Sequence, residues 1–137
     1  MSEKNIDIIL EENIFSVVNP LDVVLNHLLK ILTGECDEDE KGRLVSAVLS
    51  ESKELLQKIV ELSEKFPLSE GNIQPSNMEL IKRYHVGMSS VIKGLEELLK
   101  WFESQKEDVD HLKNSVDNLF KGAQSFMNLI NILEDNE

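Results

Sequence analysis

The stretch Ile14-Phe15-Ser16-Val17-Val18-Asn19-Pro20-Leu21, continued to Leu32, decides how the rest of the chain is read. Its apolar residues fall at Ile14, Val18, Leu21, Val24, Leu25, Leu28 and Leu32, steps of three and four that bring them onto one face of a helix. Pro20 lies inside the pattern. It removes one backbone hydrogen bond and crowds the preceding turn, so the helix is expected to run through Pro20 with a kink there. Upstream, Ile6, Ile8, Ile9 and Leu10 meet no breaker before Val18, which extends the helix back to about Ile6.

Downstream, Thr33-Gly34 stops this helix, the glycine supplying a left-handed cap. Asp37 then caps a second helix, and Glu40 three residues on completes a box-like pattern. That helix is expected from about Glu38 to Lys65, burying Leu44, Val45, Val48, Leu49, Ser52, Leu55, Leu56, Ile59 and Leu62. It must end before Pro67, because the residue ahead of a proline is pushed out of helical geometry. The first hairpin therefore spans 6–66, and residues 67–76, with Pro67, Gly71 and Pro75, form a linker.

Ser76-Asn77-Met78-Glu79 has the form of a capping box and opens a third helix. Its stripe is Ile81, Tyr84, Met88, Val91, Ile92, Leu95, Leu98 and Phe102. Gly87 and Gly94 each cost this helix roughly 1 kcal/mol relative to alanine, and they permit close packing against a neighbour. Asp108 can cap a fourth helix, whose stripe is Leu112, Val116, Leu119, Phe120, Ala123, Phe126, Met127, Ile130 and Leu133. The second hairpin covers 77–134.

The two hairpins can be superposed. With an offset of 70, Ile14 falls on Tyr84, Phe15 on His85, Val18 on Met88, Leu21 on Val91, Leu25 on Leu95 and Leu28 on Leu98. With an offset of 71 beyond the loop, Val48 falls on Leu119, Leu55 on Phe126, Ile59 on Ile130 and Leu62 on Leu133. The expected fold is all-α, a four-helix bundle made by two similar antiparallel hairpins in a single domain of residues 1–137. A hydrophobic content of 41% suffices for such a core, and the 5% of aromatic residues favours helices over a sheet.

The net charge is −12, made up of −8 over residues 1–70 and −4 over residues 71–137. A surface of this sign repels phosphate backbones and anionic lipid, so neither nucleic acid nor a membrane is an expected partner, and a basic protein surface is. Cys36 is the single cysteine and can form no intrachain disulfide. With no apolar run of membrane-spanning length and no secretory signal in Met1-Ser2-Glu3-Lys4-Asn5, a cytoplasmic location is expected.

The run from Phe15 to about Gly71 resembles the dimerisation and phosphoacceptor hairpin (DHp, or HisKA) of bacterial sensor histidine kinases. In that family a helix carries H-E-x-x-[NT]-P-L, continues for several turns and returns through a second helix rich in Leu and Glu. The matching residues here are Phe15-Ser16-Val17-Val18-Asn19-Pro20-Leu21: Phe15 stands at the place of the phosphorylated histidine and Ser16 at that of the adjacent acid. No ATP-binding domain is expected beside this hairpin. The resemblance implies a non-catalytic two-component signalling module that docks a response-regulator receiver or a kinase hairpin, with Phe15, Val18, Asn19 and Pro20 at the contact. Kinase hairpins pair as dimers; here the second hairpin can take that place, and a homodimer stays open.

His85 is the candidate for chemistry, since the repeat sets it at the phosphoacceptor position that Phe15 fills in the first hairpin. A neutral imidazole nitrogen is nucleophilic near neutral pH and can carry a phosphoryl group, so a phosphotransfer protein using His85 is an alternative reading. The residues that follow, Val86-Gly87-Met88-Ser89-Ser90, lack the family's acid and proline. An acidic helical adaptor or chaperone unrelated to phosphorelay is a third reading. His27 and His111 have no such context and are expected at the surface. Neither metal nor cofactor is expected: Asp37 to Glu40 lacks the calcium-loop pattern and suits a helix N-terminus, and no paired histidine motif is present.

Overall fold

Two of the helix boundaries that the sequence marks with a cap, at Gly34 and Asp37, have a local cause in the structure. Gly34 adopts φ +71°, the left-handed conformation that ends the first helix without a Cβ clash. Three residues later the Asp37 carboxylate accepts a hydrogen bond of 2.8 Å from the Glu40 N–H, closing the start of the second. The computed structural model describes residues 4–64, 75–104 and 109–135. They form α1 (Lys4–Thr33), α2 (Glu38–Glu64), α3 (Pro75–Glu103) and α4 (Val109–Asp135).

α1 runs unbroken through Pro20. α3 begins at Pro75, ahead of Ser76, so Ser76 is inside the helix and not its cap; proline at a first helical position loses no hydrogen bond. The Ser76 side chain, the linker up to residue 74 and Asp108 lie outside the described residues.

The chain is an all-α four-helix bundle. α1 packs on α2 and α4, α3 packs on α2 and α4, and α1 meets α3 across the middle. This is the arrangement of successive antiparallel neighbours around one core. The repeat is visible in burial: Leu10 and Leu80, Ile14 and Tyr84, Val18 and Met88, Leu21 and Val91, Leu25 and Leu95, Leu28 and Leu98 are all buried. So are Val48 and Leu119, Leu55 and Phe126, Ile59 and Ile130, Leu62 and Leu133. The change of offset falls between the two helices of each hairpin, after Thr33 in the first and after Glu103 in the second.

The two hairpins are held differently. A Cβ on Gly122 of α4 would stand 2.4 Å from Val91 Cγ2 and 3.2 Å from the Gly87 carbonyl oxygen of α3. One on Gly94 would stand 3.0 Å from the Leu119 backbone nitrogen, and one on Gly87 would stand 2.6 Å from the Phe126 ring. α3 and α4 therefore touch backbone to backbone. The corresponding positions of the first hairpin are Val17, Val24 and Glu51, whose side chains keep α1 and α2 further from such contact.

Several expected core positions are not fully buried. Leu32 of α1 and Phe120 and Met127 of α4 are exposed, and Leu44, Val45, Leu49 and Leu56 of α2 are only half-buried. The apolar stripe of each helix is wider than the face its neighbours cover, and these residues sit on its edge. Conversely Val17, Leu80, Trp101 and Leu129, outside the expected stripes, are buried.

The glycine contacts make a prediction with a built-in control. Gly122→Ala should destabilise the protein by about 1 to 2 kcal/mol in urea unfolding, because the added methyl overfills a backbone contact. Gly42→Ala, on an open face of α2 with no atom within 4 Å, should instead stabilise it by up to about 1 kcal/mol.

Candidate functional site

The end of the bundle that holds Phe15 is organised by Tyr84. Its ring is fully buried, its hydroxyl donates to the Leu62 carbonyl of α2 at 3.3 Å, and the Asn13 amide of α1 donates to the same hydroxyl at 3.3 Å. One side chain thus ties α3 to both helices of the other hairpin. Burial pushes the phenol from 10.0 up to about 12, against the opposing effect of the Asn13 hydrogen bond.

Phe15 follows two residues after Asn13 and is 40% exposed. Asn19 is exposed and Pro20 is half-buried, lining a cleft with Val23 of α1 and Glu51, Glu54, Leu55 and Lys58 of α2. Val18 departs from the expected contact set. It is only 7% exposed, on the face of α1 that carries Ile14 and Leu21 into the core, so it supports the surface from beneath and cannot itself touch a partner. Ser16, at the place of the kinase acid, donates its hydroxyl to the Asn13 carbonyl at 2.8 Å and is engaged with its own helix.

His85 is half-buried at the seam between α2 and α3. Its Nδ1 lies 3.5 Å from Ser63 Oγ of α2, and its ring stands edge-on to Tyr84, centroids 5.6 Å apart. Phe15 and His85, equivalent in the repeat, are therefore on different seams of the bundle and do not combine into one site.

The other two histidines act as clasps. His27 Nδ1 of α1 is 3.0 Å from Glu51 Oε1 of α2, and His111 Nδ1 of α4 is 2.7 Å from Glu97 Oε2 of α3. The His111 hydrogen bond, with Lys100 3.6 Å from the other Glu97 oxygen, holds the Glu97 carboxyl below its usual range. Neither pair was legible from helix periodicity, since each depends on the register between two helices.

At the opposite end, Ile31, Leu32, Lys41, Val45, Trp101 and Leu112 line an open cleft of about 600 Å³. Among the described residues no three metal-ligating side chains converge, and no helix is long and apolar enough to cross a membrane. Comparisons of the chain with family models, with curated proteins and with solved structures found no match. The arrangement offers an exposed aromatic, Phe15, over a buried support, and a half-buried imidazole, His85, at the α2/α3 seam.

Tyr84 is the single tyrosine, so its ionisation is read directly by ultraviolet difference absorbance. The folded state favours the neutral phenol. The stability this contributes is complete below pH 10 and is lost as pH rises towards about 12. Tyr84→Phe should cost roughly 1 kcal/mol at neutral pH through the lost hydrogen bonds, and it should remove that alkaline decline.

Proposed function

We propose that the protein is a non-catalytic two-component signalling module that docks a response-regulator receiver or a kinase hairpin. The observation that carries this is Phe15, 40% exposed at the position that corresponds to a phosphoacceptor histidine. A phenyl ring there has no nitrogen to phosphorylate but offers an apolar contact on the surface a receiver would approach. The second hairpin supports the reading from another side: it packs on the first within one chain, in the place a second kinase subunit would take.

Docking follows the usual division of labour. Phe15 supplies apolar area beside the exposed Asn19, Pro20 stands on the flank of α1 towards α2, and the acidic surface steers a basic partner face. Capture of receivers and sensor kinases from a bacterial lysate, followed by titration of the recovered protein, tests the proposal. Phe15→Asp should weaken that complex by about tenfold or more, and His85→Ala should leave it unchanged. Recovery of neither class of protein, from a lysate where both are detectable, would leave an acidic helical adaptor outside phosphorelay.

One observation favours a second reading, phosphotransfer on His85. Its imidazole is not sealed in the core, and Ser63 and Tyr84 orient the ring. In that reading the neutral imidazole takes a phosphoryl group from a receiver's phosphoaspartate and the freed carboxylate leaves. Incubation with a phosphorylated receiver would then give acid-labile phosphate on the wild-type chain and none on His85→Ala.

A further inference from the structure

The pseudo-symmetry makes the seam between α1 and α4 the counterpart of that between α3 and α2, and the two differ in one respect. At the α2/α3 seam, Leu49, Leu56, His85 and Leu99 are all half-buried. Their repeat counterparts are Phe120, Met127, Phe15 and Leu29, which are 45%, 43%, 40% and 42% exposed. The same four positions are covered on one side of the bundle and open on the other.

Helix geometry places these four along one strip. The flank of α4 that carries Gly122 meets α3, so Phe120 and Met127, seven residues apart, lie on the opposite flank towards α1, its other neighbour. On α1, Pro20 and His27 mark the flank towards α2, and Phe15 and Leu29 lie on the other. Phe15 to Leu29 spans about 21 Å of helix, the length of a helical segment of roughly 14 residues. Exposed apolar groups aligned in this way mark an interaction surface more often than scattered ones do.

The charge selects the occupant. Asp22 stands between Phe15 and Leu29 on the same line of α1, and Glu12 of α1 and Asp117 and Glu134 of α4 flank the strip, against Lys30 and Lys113, on a chain of net charge −12. A second copy would bring the same negative rim and the same net charge against it. We infer that the α1/α4 seam is a docking groove for a basic amphipathic helix of a partner protein, laid along Phe15, Leu29, Phe120 and Met127 with its cations over the carboxylate rim. This rests on the docking reading above and adds to it the surface and the chemistry of the partner.

The test uses the full chain and two labelled synthetic peptides of identical lysine and leucine content. One places leucine at helical spacing to form an apolar face, and the other is scrambled so that no face forms. Fluorescence anisotropy should show the amphipathic peptide binding about tenfold or more tightly than the scrambled one, with affinity falling as salt is raised. Phe120→Asp and Met127→Asp, and the milder Phe120→Ser, should each weaken binding by about tenfold, while Val86→Asp on α3 should not change it. Equal binding of the two peptides, binding of neither, or indifference to the α4 changes would overturn the groove. Self-association of the wild-type chain that Phe120→Asp abolishes would overturn it in favour of a second copy. In each case the receiver titration with Phe15→Asp still decides the docking reading by itself.

Discussion

The bundle depends on the contact between α3 and α4, where Gly87, Gly94 and Gly122 remove the side chains that would hold two helix backbones apart. Three glycines inside helices sacrifice intrinsic helix stability of roughly 1 kcal/mol each. The return is backbone contact along α3 and α4, with Phe126, Leu119 and Val91 fitted into the spaces the missing Cβ atoms leave. The second hairpin is thereby a close-packed half on which the first can be laid. Tyr84 then connects that half to both helices of the other through Asn13 and Leu62.

The first hairpin has the same period but different contents. Val17 and Val24 occupy the places of Gly87 and Gly94, and the pair is joined across the helices by His27 and Glu51. The outer seams differ as well: the α2/α3 seam half-buries its four apolar and aromatic residues, while their counterparts on the α1/α4 seam are 40 to 45% exposed.

Much of this was readable from residue pattern. Steps of three and four located all four helices, Gly34 and Asp37 marked a stop and a start through local chemistry, and the repeat paired core positions before any contact was known. Gly87 and Gly94 suggested close packing, but Gly122, which completes the contact, carried no separate signal. What the pattern could not supply was the register between helices. A period of 3.6 defines a face without saying how far its neighbours extend over the edges, so the pattern assigns Phe120, Met127 and Leu32 to a core that does not reach them. Val18 is different: periodicity sets it on the apolar stripe and pairs it with Met88, the resemblance sets it at the contact beside Phe15, and its burial follows the stripe. The hydroxyl partners of Tyr84 and the two histidine–glutamate clasps likewise depend on which residues of separate helices stand level.

The measurement that tests this account most directly is the rate of methionine oxidation by peroxide in the free protein, read residue by residue by mass spectrometry. Met127 is 43% exposed on the open seam and Met88, with the same sulfur chemistry, is fully buried in the core. The account predicts that Met127 is converted to the sulfoxide well before Met88, while the fold persists. Equal protection of both would place Met127 inside a covered core and contradict the open seam on which the docking surface rests.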